Sequence, residues 1–158
     1  MKYYKGFNNQ MQGRNEFQFC TGMVYEKTDD DSWTWFHYTD KVSSTLKYFD
    51  ENIRICEVLP LGEVYAFKDY FMGNNSSYYT TNKIEILREL SRKEIYDTLE
   101  HEKFSFYLLI SKLKPEFEIL YKYKNKIRGD YCREIIIRDD LDVSQKKILL
   151  PKNWHKFI

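Results

Sequence analysis

Glycine is scarce, with 6 residues in 158, and none stands in a phosphate-cradling turn of the Walker or dinucleotide-binding kind. Histidine is scarcer. His37, His101 and His155 lie far apart, so no local ligand spacing supports a histidine metal site. The three cysteines, Cys20, Cys56 and Cys132, are odd in number and widely separated, which argues against a disulfide framework or a zinc spacing. They are expected to be buried, small apolar residues. No paired-carboxylate motif stands out, and no cofactor is expected. The longest apolar patch, Phe104 to Ile110, is far too short to span a bilayer. The opening Met1-Lys2-Tyr3-Tyr4-Lys5-Gly6-Phe7 has no apolar signal region, so a soluble, cytoplasmic protein without a membrane partner is expected.

What is present is aromatic and charged. Aromatic residues make up 18% of the chain, with 14 Tyr and 11 Phe, while 42% hydrophobic and 31% charged residues mark a globular protein. Most of the tyrosines are expected at core edges, the ring buried and the hydroxyl on a polar partner. The net charge of +1 hides an asymmetry. Residues 1–102 carry 12 Lys/Arg against 17 Asp/Glu, and residues 103–158 carry 13 against 7. Such polarity bears on partners, not on fold.

Alternation predicts strands at Tyr3–Phe7, Phe17–Tyr25, Trp33–Tyr38, Ile53–Leu59, Glu63–Phe67 and Lys83–Leu87. Thr39 or Asp40 is expected to cap a helix with Val42, Leu46 and Phe49 on one face. Residues 72–77 are expected to form a loop. Ser91 and Glu94 form a capping-box pattern opening a helix to about Glu102. Phe104–Leu113 reads equally as helix or strand, and Gln145–Leu150 as a short strand or a helical turn. Phe117, Ile119, Tyr121 and Tyr123 alternate with charged residues, which predicts a strand paired with Tyr131–Arg138 as a β-hairpin. The expected architecture is α+β: a mostly antiparallel sheet with two or three helices in a single domain. Within it, residues 1–102 form the core and 103–158 a basic extension.

The best local signal for binding is Tyr121 to Arg133. Lys122, Lys124, Lys126, Arg128 and Arg133 stand against one carboxylate there, interleaved with Tyr121, Tyr123 and Tyr131. On a hairpin the three lysines would share a face able to follow a phosphate backbone or an acidic protein groove, with tyrosines stacking on unpaired bases. The competing reading is an exposed hairpin whose lysines only prevent edge pairing. His37, among aromatics, could orient a ligand, although a hydrogen-bonded edge histidine is the commoner case. Asp29-Asp30-Asp31 fits a solvated turn better than a cation site.

Several segments occur in the order of a known but uncharacterised family. They are Lys5-Gly6-Phe7-Asn8, Phe17-Gln18-Phe19, Gly22-Met23-Val24-Tyr25-Glu26, Phe36-His37 and Thr81 to Leu90. Over about residues 3–95 the chain resembles a domain of phage, prophage and bacterial proteins. The pattern is departed from at Arg14-Asn15-Glu16 and at Trp35. A more distant likeness, through Phe36-His37-Tyr38-Thr39-Asp40 and Ile53 to Gly62, is to ADP-ribosyltransferase-like folds. That likeness would place Lys2 or Lys5 and then Tyr38 or Thr39 at an NAD molecule, but it finds no late catalytic Glu.

The phage resemblance implies a small protein that inhibits a host nucleic-acid-associated defence complex by direct binding, in the manner of an anti-CRISPR protein. The expected partner is then a protein or ribonucleoprotein effector such as a CRISPR effector nuclease, with contact to nucleic acid. The alternatives are an NAD-using transferase and a simple nucleic-acid-binding module. An enzyme is the less favoured class.

Overall fold

The computed structural model describes residues 1–47, 52–69, 76–102, 106 and 109–158, which gather into two compact units, Met1–Phe104 and Ser105–Ile158. The expected loop at 72–77 and the predicted face residue Phe49 lie largely or wholly outside the described residues.

The first unit is built on one antiparallel sheet. Its strands are β1 (Tyr3–Phe7), β2 (Met23–Glu26), β3 (Phe36–Thr39), β4 (Arg54–Pro60), β5 (Val64–Asp69), β6 (Ser76–Thr81) and β7 (Lys83–Glu89), in the spatial order β2-β7-β4-β1-β3-β6-β5. The α+β expectation holds. Alternation sends Phe7, Phe36, Tyr38, Cys56, Val58, Ile84 and Ile86 to one face, where Met11 and Phe19 of the β1–β2 connection close over them. A bulge between Glu57 and Val58 shifts the register of β4 against β7.

The second strand is shorter than alternation predicts. Gly22 at φ +76° interrupts the run, so Phe17 and Phe19 pack into the aromatic face from a loop. The turn before β5 depends on a close approach: a Cβ at Gly62 would stand 1.9 Å from Asn82 Oδ1, which accepts the Glu63 N–H.

Short helix α1 (Val42–Thr45) packs on β1 and β3, and α2 (Arg92–His101) packs on α1. Ser91 and Glu94 form the predicted capping box. The N-terminus of α1 is satisfied differently from expectation. Neither Thr39 nor Asp40 caps it; the Glu102 carboxylate accepts both the Val42 and Ser43 N–H groups at 2.8 Å.

The second unit is helical. A π-helical turn at Leu109–Leu113 precedes α3 (Phe117–Lys122), a 3-10 turn at Lys124–Lys126, α4 (Asp130–Ile136), α5 (Val143–Leu149) and a 3-10 segment at Lys152–Phe157. The β-hairpin expected over 117–138 is therefore corrected to two helices and a turn. Phe117, Leu120 and Tyr121 also satisfy helical spacing, and Cys132 and Ile135 are buried while Ile137 is 72% exposed. Gln145–Leu150, left open by its pattern, is mostly helix: Asp142 and Gln145 make a capping box at the start of α5. Leu109, Ile110, Leu113, Leu120, Ile127, Cys132, Ile135 and Leu149 form the buried centre of this unit.

Candidate nucleic-acid interface

The basic stretch becomes a knuckle between α3 and α4. Leu120, Ile127, Cys132 and Ile135 are fully buried beneath it, and the backbone locks through Lys126 N to Tyr123 O at 2.8 Å and Ile127 N to Lys124 O at 3.1 Å. The Cys132 thiol donates to the Ile127 carbonyl at 3.6 Å. Gly129, at φ +58° and ψ −126°, then turns the chain into α4, in a conformation open to glycine.

On this anchored turn Lys122, Lys124, Lys126, Arg128 and Arg133 are all exposed. The lysines lie over aromatic rings: Lys124 is 4.5 Å from the Tyr121 centroid, with Lys122 and Lys126 at 5.6 and 5.4 Å from that of Tyr123. Arg133 meets Asp130 at 3.8 Å, both side chains well solvated, so the pair does little to neutralise it. Among the described residues no carboxylate pairs with Lys124, Lys126 or Arg128. The expected site residues are thus brought together, by a helical turn and not by a strand face.

The tyrosines differ from expectation. Tyr123 and Tyr131 are half-buried, and both rings pack on Phe106, at 5.8 and 5.4 Å between centroids. Only Tyr121 is substantially exposed, at 48%.

The first unit holds other chemistry-bearing groups in structural roles. His37 Nε2–H donates to the Trp33 carbonyl at 3.1 Å, and burial holds its imidazole below the ordinary histidine range. Asp31 Oδ1 accepts the Trp33 N–H and Asp29 accepts the Thr34 hydroxyl, so these carboxylates organise a turn, as expected. Asp29 and Asp30, with Glu26, Glu63, Trp35 and Tyr65, border an open cleft of about 510 Å³. Cys56 and Cys132 are buried as expected, and burial pushes the Cys56 thiol up to about 12. Cys20 is exposed, correcting that expectation; its loop position lacks the strand alternation that would have turned it inward. Among the described residues, no three His, Cys, Asp or Glu side chains gather as metal ligands, and no helix is long and apolar enough to cross a membrane.

The burial of one cation escaped the sequence reading. Lys5 is 8% exposed inside the aromatic face, donating to the His37 carbonyl at 2.8 Å and lying 5.6 and 5.5 Å from the Phe7 and Phe19 centroids. Desolvation, assisted by Lys27, lowers its ammonium pKa to about 8. The aromatic flanks of β1 were the only signal. Tyr38 (3% exposed) stacks on Tyr79 at 5.3 Å, and the Thr39 hydroxyl donates to the Ser77 carbonyl.

A family model described as a domain of unknown function, DUF7666, matches residues 1–98. The match spans the sheet unit and, like the resemblance seen in the sequence, ends before the basic knuckle. No curated protein matches the chain.

Proposed function

We propose that the chain, which belongs to the DUF7666 family, is a binding protein that attaches through its knuckle to the nucleic-acid component of a ribonucleoprotein complex. The observation carrying this reading is the cation set of the α3–α4 turn, held on a buried apolar base and, at Lys124, Lys126 and Arg128, not neutralised by a described carboxylate. A polyanion binding there releases its condensed counterions, and that release is the main driving force for phosphate contacts.

The phage-protein resemblance supports a finer reading. The complex is a host defence effector, such as a CRISPR effector nuclease, and binding in the host cytoplasm inhibits it in an anti-CRISPR-like manner. The reading is tested by capturing a purified effector complex on the immobilised protein, alongside a variant with Lys122, Lys124, Lys126 and Arg128 changed to Glu. The variant is expected to lose capture. Undiminished capture removes the knuckle from the mechanism.

The NAD-using reading takes no support from β1 and β3. Of the residues it would place at a dinucleotide, Lys5, Tyr38 and Thr39 are buried and engaged within the sheet, and the exposed Lys2 pairs with Glu57 at 3.4 Å.

A further inference from the structure

We infer that the knuckle binds double-stranded nucleic acid by its phosphates, without stacking on bases; this rests on the binding reading proposed above. A base stacks only on an aromatic ring that is free to receive it, and such stacking supplies much of the affinity of single-strand binders. The rings of this turn are already engaged. Tyr123 and Tyr131 are half-buried and direct theirs to Phe106, itself 8% exposed, so each ring is packed against the interior of the unit. Tyr121 is the exposed one, yet the Lys124 ammonium stands over its ring and the Phe117 ring lies against it at 6.0 Å.

What remains to meet a partner is positive charge. The tyrosines act as rests for the ammonium groups, holding Lys122, Lys124 and Lys126 on the turn and restricting their freedom before a ligand arrives. A duplex offers such a cluster the denser array, one phosphate charge per about 1.7 Å of axis from both strands together. A flexible single strand has half that density and gains nothing from its bases here. A partner with duplex character is therefore preferred, whatever its sequence.

The test uses the full-length chain and fluorescence anisotropy at low salt, with a labelled random-sequence duplex and a labelled oligothymidylate of the same length. The duplex is expected to bind tighter. Its log affinity should fall with log salt at a slope of about −2.7 to −4.5, the value for three to five phosphate contacts. Tyr121→Leu, and Tyr121→Phe as the gentler variant, should change duplex affinity less than about threefold, since exposed cation–π contacts are weak. Equal or tighter binding of the oligothymidylate, or a loss above about tenfold with Tyr121→Leu, overturns this inference and leaves the knuckle as a single-strand site that stacks bases. Failure to bind either probe overturns the binding reading itself.

Discussion

The Lys124 ammonium stands 4.5 Å from the centroid of the Tyr121 ring, tying the 3-10 turn to the last turn of α3. An exposed contact of this kind contributes about 0.5–1 kcal/mol. A double-mutant cycle of Tyr121→Leu and Lys124→Met, read by urea unfolding, should return a coupling in that range. Zero coupling would mean that the ring does not hold the ammonium.

Lys5 predicts a pH dependence in the alkaline range. Its pKa is lowered to about 8 in the folded protein, against the ordinary 10.5 when unfolded. Between these values the unfolded chain binds the extra proton, so stability rises with pH through that window. Below about 8 both states carry the proton, and the buried charge is a standing cost on the order of 3 kcal/mol. Comparing unfolding free energies at pH 7 and pH 9.5, the rise attributable to this residue should vanish in Lys5→Met. An unchanged pH profile in that variant would place the titration elsewhere.

Glu102 caps α1 from the far end of α2, accepting two backbone N–H groups at once. Glu102→Ala should cost about 1–2 kcal/mol, the upper range for losing a cap. Glu102→Gln, which keeps one acceptor oxygen, should cost less. Equal losses for the two variants would contradict this ranking and show that the effect needs both carboxylate oxygens together.

In the second unit Arg138 is 6% exposed and forks onto Asp140, with Nε to Oδ1 at 2.9 Å, while Nη1 donates to the Pro115 carbonyl at 2.7 Å. Arg138→Met should destabilise the protein by about 2 kcal/mol, because it strips a charged donor from a buried carbonyl. Arg138 holds the Asp140 carboxyl below its ordinary range, so this pair stabilises the protein above the unfolded pKa and is lost as pH falls. A melting temperature that Arg138→Met leaves unchanged at pH 7 would contradict the assignment.

The sheet unit was largely legible because its strands carry one-sided alternation and its turns carry their own punctuation. Lys83 to Leu87 alternates, and the Ser91-x-x-Glu94 box states where α2 begins. The second unit was misread where two periods coincide. Phe117, Ile119, Tyr121 and Tyr123 alternate, yet Phe117, Leu120 and Tyr121 lie at helical spacing, and only packing onto a shared centre decides between them. Ile135-Ile136-Ile137 added a β-branched signal that tertiary burial overrode. The Asp142-x-x-Gln145 box was a readable sign of helix. The cation cluster was visible as composition, but the inward turn of Tyr123 and Tyr131 was not, because it depends on Phe106, which is distant in sequence from both.

The central claim is that the knuckle binds nucleic acid through its cations. Its most direct measurement is the salt dependence of duplex affinity for the native protein and for the variant with Lys124, Lys126 and Arg128 changed to Ala. The slope of log affinity against log salt should become shallower by about 0.9 for each phosphate the variant no longer neutralises, about 2 to 3 altogether. An unchanged slope with unchanged affinity would contradict the account.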